Sequence, residues 1–350
     1  MTSPAGRRMA SRINRGAVGG LAVASVLLLT LSACGGGSSD ATADGASADA
    51  ASAPASAAAS DEAAAASLGA DQWVSNVGDF KDAADWDTAE VLALDLGAAM
   101  TPAALDLTAG MPYEIQITNS GAADQGISAP DFFKASAVRK TESGAEIKMF
   151  QFSDIYAAAG STVSLFIVPV MPGTYPLVGV DADGVPVDGL AGSVNVTGVV
   201  PTAPAPVIEP LSSLGVPAGA TDMIAAAMPT WDTDATAVTI TMGDQEGAEG
   251  TGFYKPENTD LKVGVPATIT FTNEGTVMHV YEFEDLLKAS AAWKVTASDG
   301  FTTGAQIRPA DVEAGITTSL YLIPMAAGTY TLTDSAPGME TTTATITVTE

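Results

Sequence analysis

The sequence predicts an all-β protein built from two Greek-key β-sandwich domains in tandem, each carrying one short helix. Three observations support this. First, Asn119–Ala137 (NSGAADQGISAPDFFKASA) and Asn273–Ala291 (NEGTVMHVYEFEDLLKASA) agree at seven of nineteen positions, always at an offset of 154 residues, which is too long for a solenoid period and indicates a duplicated domain. Second, the flanking segments are short apolar alternations punctuated by Gly and Pro, the pattern of half-buried strands. Third, each copy has roughly 130 residues, enough to bury a core of its own.

The order of elements begins with a leader. Residues 1–33 hold Arg7, Arg8, Arg12 and Arg15, the apolar segment Gly16–Ala33 and the ending Leu31-Ser32-Ala33 before Cys34, the architecture of a secretory signal. This ending resembles a bacterial lipobox, which implies cleavage before Cys34, acylation of its thiol and a mature chain anchored to a membrane. An uncleaved membrane helix is the alternative, but eighteen residues rich in Gly and Ala fall short of the ~20 that span a bilayer. Residues 34–66 form a small, acidic tether of Ala, Ser, Gly and Asp with nothing to bury, so it is expected to be disordered.

Residues 67–199 form the first sandwich. Val91–Leu96, Tyr113–Thr118, Val163–Val168 and Ser193–Val196 read as strands, and Asp131 is placed as the cap of a helix running from Phe132 to about Lys140. Residues 200–217 are a proline-rich linker, expected to be extended and stiff. Residues 218–350 repeat the series with Trp231-Asp232-Thr233, Ala237–Met242, Ala267–Phe271, Ser319–Ile323, Gly328-Thr329-Tyr330 and Ala344–Val348.

In order, the motifs are an Ala-Gly or Val-Gly turn, Asn-x-Gly after a strand, the Asp-Phe-Phe-Lys-Ala or Asp-Leu-Leu-Lys-Ala helix, Pro-x-x-x-Gly-Thr-Tyr, and Gly-Leu or Gly-Met before the last strand. This order, found twice across nearly all of 67–350, resembles the cupredoxins, the blue-copper sandwich family, and most closely their bacterial periplasmic representatives. The resemblance places the first copper histidine just after Asn-x-Gly, where His279 stands. The first copy has Gln125 there. It places the copper cysteine four residues after the tyrosine of Gly-Thr-Tyr, where Asp334 and Gly179 stand, and the axial methionine at Met339 and Leu190. No second histidine follows Asp334. A blue-copper centre needs two imidazoles and a thiolate with a weak axial thioether, so domain 2 retains a partial set, His279, Met339 and Asp334, and domain 1 retains none. Met278 or Met325 are further sulfur candidates. Imidazole with thioethers suits Cu(I), and imidazole with carboxylate suits Cu(II) or Zn(II) weakly. Against this stands the plainer reading of His279 as a strand-end residue and Met339 as core filling.

Without the leader, ten basic and 41 acidic side chains remain, a formal charge of −31, which disfavours nucleic acid and anionic surfaces as partners. Cys34 is the only cysteine, and its acylation would exclude disulfides and thiolate chemistry. No nucleophile elbow surrounds His279 and no carboxylate pair stands out. Trp86 and Trp231 are expected in core packing, and Glu282, Glu284 and Asp285 on a solvated face. The function expected is therefore a non-enzymatic, exported lipoprotein facing the periplasm or cell surface. Its two degenerate cupredoxin-like domains would serve as a binding or scaffold module, with an envelope protein as the expected partner. The alternatives are copper carriage or sensing by domain 2 and, last, electron transfer completed by a partner's ligands.

Overall fold

The computed structural model describes residues 68–148, 151–244, 252–334 and 342–350. The expectations for the leader, the tether, Cys34 and Met339 lie outside the described residues.

Alternation along the chain becomes alternation of burial in the strands. In Tyr113–Thr118 and in its counterpart Ala267–Asn273, every second side chain is buried. The first of these pairs parallel with Glu90–Leu96 and antiparallel with Thr162–Pro169, and the second does the same with Thr236–Asp244 and Thr317–Pro324. The final strands Pro186–Thr197 and Thr342–Thr349 each pair parallel with an early one, Ala104–Thr108 and Asn258–Lys262. Neighbours in each sheet are thus out of sequence order, as Greek-key connections require. Each half is a two-sheet sandwich around its own core. One core holds Leu94, Ile115, Phe132, Phe152 and Leu165, and the other holds Ile240, Phe271, Tyr281, Leu286 and Leu320.

The halves are fused through their sheets. Strand Ala145–Lys148 of the first half pairs with Arg308–Val312 of the second, and Gln151–Ala157 pairs with Gly300–Ala305. Equivalent hairpins thus exchange equivalent edges, as in an isologous dimer interface made within one chain. The result is two sheets of eleven strands, each running through both halves. The exchange covers four edges that would otherwise present unpaired backbone. Ile147 from the first half sits fully buried in the second half's core. Tyr156 stacks on Phe301 with centroids 3.9 Å apart, and Thr303 donates to Asp154 Oδ2 at 2.8 Å. A side chain at Gly300 would come within 2.0 Å of the Tyr156 carbonyl oxygen, so the cross-half pairing requires glycine there.

Two expectations are corrected. The helix of the first half is Pro130–Lys134, with Asp131 inside it and no side-chain cap. Pro130 fixes the first turn, and Ser136–Glu142 then leaves as a strand because its residues pair with Thr162–Pro169. Each half also holds more than one helical element: Val77–Ala83 precedes the first sandwich, while Ala220–Ala227 and Trp231–Asp234 open the second. The proline-rich stretch also joins a sheet. Ile208–Pro210 pairs antiparallel with Gln72–Val74, and Asn76 binds it through Oδ1 to Val207 N–H and Nδ2 to the Ala205 carbonyl.

Candidate functional site

The Asn-x-Gly motif is a loop staple. Asn273 is fully buried. Its Nδ2 donates to the Val277 and Val312 carbonyls, both at 2.8 Å, and its Oδ1 accepts from Gly275 N–H at 2.8 Å. Asn119 makes the same three bonds, to Ala123, Ala157 and Gly121. The amide saturates the turn that carries the chain from one strand to the next, and so fixes where residue 279, or 125, enters the sheet.

His279 emerges from that turn at the position Gln125 holds in the first copy, and it is completely buried. Its Nδ1 is hydrogen-bonded to Asp334 Oδ2. Asp334 is itself buried, lies opposite Tyr281 in the strand register, and accepts from Val280 N–H at 3.2 Å. The other ring nitrogen, Nε2, has no hydrogen-bond partner and stands 3.7 Å from Asp244 Oδ1. Two hydrogen bonds from Thr276, each 2.6 Å, hold the Asp244 carboxyl below its ordinary range. Around this pair are Tyr281, whose hydroxyl meets Met242 Sδ, and Tyr254. Burial first, then the charge of Asp334, raises both phenols above their usual range. A side chain at Gly275 would come 3.0 Å from His279 Nε2, so glycine leaves room on that side of the nitrogen.

In the first half the corresponding place is hydrocarbon. Gly179 lies opposite Ile127, and a side chain there would approach Leu190 Cβ to 2.2 Å. Leu190 is buried and fills the space that a ligand at residue 179 would need. Gln125 carries the orphaned atom in this copy, since its Oε1 has no partner.

His279 and Asp334 thus meet in the second half, while Met325 packs near Trp231, Ala291 and Ile323. Sequence reasoning missed Asp244, Met242, Tyr254 and Tyr281, which reach the site only through strand pairing. This donor set does not fit a blue-copper centre. The imidazole already has a carboxylate on Nδ1, the thiolate position is a carboxylate, and the other half offers an alkyl group. Among the described residues no three His, Cys, Asp or Glu side chains are placed to hold a metal ion.

The other motifs have packing roles. Tyr175 and Tyr330 donate to the carbonyls four residues upstream, Met171 at 2.8 Å and Ala326 at 3.0 Å, a tyrosine-corner contact. Trp231 is buried and donates to Thr268 Oγ1, while Trp86 donates to the Lys81 carbonyl. Glu284 pairs with Lys288 at 3.9 Å, with both side chains exposed.

No family model and no curated protein matches the chain. Solved structures that resemble it include a copper-containing nitrite reductase from Thermus scotoductus SA-01 (10% identity, TM-score 0.29, 75% of this chain and 62% of that one). A multicopper oxidase from Campylobacter jejuni, described as a metallo-oxidase, follows (12%, 0.28, 71% and 55%). A copper nitrite reductase from Nitrosomonas europaea is a third (12%, 0.26, 75% and 95%). The chain spans less than two thirds of the first two. The strand pairing described above, and not these likenesses, carries the fold.

Proposed function

We propose that the chain is a non-enzymatic binding module of the cell envelope, built on two cupredoxin-like sandwiches and held to a membrane through Cys34. The observation that supports it most is the filling of the position where a redox metal would be held. In one half His279 is closed onto Asp334 with no exposure, and in the other Leu190 closes over Gly179. Electron transfer and oxidase chemistry both need donors that this arrangement spends on itself. The fused sheets favour the same reading, since they join strands of both copies into two shared sheets. The test is to supply the purified mature chain with copper and a reduced electron donor. Absence of turnover is expected, and steady oxidation of the donor would contradict the proposal.

A second reading, copper carriage, is favoured by one feature, the unpartnered His279 Nε2 beside Asp244. An imidazole with a carboxylate is a weak Cu(II) or Zn(II) pair. Metal analysis of protein purified from copper-fed cells separates the readings. A near-stoichiometric copper content would favour carriage, and a trace would favour the binding module.

A further inference from the structure

Away from His279, a cavity of about 310 Å³ opens where both halves meet the segment before the first sandwich. It is lined by Lys81, Lys148, Lys288, Arg308, Gln306 and Ser75, among others. Four of the ten basic residues beyond residue 33 therefore converge on one cavity in a chain of formal charge −27. Its size is at the small end of the range for ligand sites, roughly 300–1,000 Å³.

These cations are incompletely neutralised. Lys81 makes no ion pair among the described residues, and its ammonium is held below the usual lysine range by burial and then by Lys148, with Arg139 and Arg308 adding to the effect. Arg308 spends one N–H on the Tyr281 carbonyl, 2.7 Å away, and a guanidinium has five. Lys148 leans on Glu146 at 2.7 Å and stands 3.8 Å from Asp311, but Glu146 is shared with Lys140 at 2.5 Å. Among the described residues Lys288 has one ion pair, an exposed one at 3.9 Å with Glu284, which also lines the cavity.

Gln306 supplies an independent sign. Among the described residues it is the one non-glycine with positive φ, at 58°, a conformation that is uncommon for such residues and worth a functional question. It is buried, its Nε2 makes a long 3.4 Å bond to the Gly215 carbonyl, and its Oε1 accepts nothing. A buried amide oxygen without a partner is costly, and turning the amide into the cavity that Gln306 lines would let a ligand hydroxyl satisfy it.

We propose that this cavity binds a small, multiply charged anion that also carries a hydroxyl, either a hydroxycarboxylate or a protonated phosphate. Lys81, Lys288 and Arg308 bind the charge, and Gln306 accepts the hydroxyl proton. The inference rests on the binding-module reading, but it fails separately: loss of anion binding would leave the copper result untouched.

The test is calorimetric titration of the mature chain at about 0.15 M salt, where screening between exposed charges reaches about 8 Å. The probes are citrate, inorganic phosphate and propane-1,2,3-tricarboxylate, which is citrate without its hydroxyl. Citrate or phosphate is expected to bind one per chain, and which of the two binds identifies the anionic group. Lys81→Gln is expected to weaken binding by roughly tenfold or more, the scale of a lost charge-assisted hydrogen bond. Lys262→Gln makes the same charge change on the outer strand Asn258–Lys262 and should leave binding unaltered. No heat with citrate or phosphate would overturn the site, as would equal weakening by the two lysine variants. Equal affinity for citrate and its hydroxyl-free analogue would overturn the role of Gln306.

Discussion

Replacing Asp311 by Asn should stabilise the protein at pH 7 and change little near pH 4. Asp311 sits on the strand that joins the halves, directly opposite Glu146 in the register, and both side chains are largely buried, 18% and 14% exposed. Glu146 takes Lys140 and Lys148 at 2.5 and 2.7 Å. Burial opposes its charge, but these two bonds outweigh it and pull its carboxyl from 4.5 down to about 2. Asp311 is left with Lys148 at 3.8 Å. Burial and then the charge of Glu146 push its carboxyl from 3.8 up to about 6.

The two shifts have opposite signs in stability. The depressed Glu146 contributes stability that is present above about pH 4.5 and lost as pH falls toward 2. The raised Asp311 contributes stability that is present below about pH 3.8 and lost as pH rises through 6. At ~1.4 kcal/mol per unit, ionising Asp311 in place costs up to about 3 kcal/mol at pH 7. Losing the weak Lys148 contact reduces the gain from Asp311→Asn to roughly 2 kcal/mol. Urea unfolding of both proteins at pH 7 and pH 4 measures this directly. The variant should be the more stable at pH 7 and nearly equal at pH 4. A variant less stable at pH 7, or shifted equally at both pH values, would refute the reasoning.

Three further outcomes follow from the packing. Asn119→Ala and Asn273→Ala each remove the three hydrogen bonds of a fully buried side chain and should each cost about 2–4 kcal/mol in urea unfolding; a cost in only one copy would deny the staple its shared role. Leu190→Ala should cost about 2–5 kcal/mol as a cavity in a packed core, and a neutral result would mean that Leu190 does not fill the first half's vacated site. Gly300→Val should break the cross-half pairing, read as fast amide exchange in Gln151–Ala157, whereas retained protection there would contradict the 2.0 Å clash.

The duplicated fold was legible because its signals are local. Asn-x-Gly and Gly-Thr-Tyr each encode bonds made within about four residues, to Val277 from Asn273 and to Ala326 from Tyr330, so they survive as motifs in both copies. The meeting of His279 with Asp334 was reachable through the cupredoxin resemblance, because the two positions occupy neighbouring strands. What the chain concealed is long-range. Nothing near Ala145–Lys148 marks it as a partner of Arg308–Val312, since any strand edge can pair with any other, and the choice is made by the shape of two assembled sandwiches. Lys81, Lys148, Lys288 and Arg308 are scattered over more than two hundred residues and converge only after that fusion. The length of the first helix was misjudged because Ala135–Lys140 has acceptable helix formers, and sheet pairing overrode that propensity.

Copper titration of the mature chain against its His279→Ala variant tests most directly whether His279, hydrogen-bonded to Asp334, is withheld from a metal. The account predicts that both proteins take up copper weakly and alike. One tightly held equivalent in the native chain, lost on removing the imidazole, would contradict it.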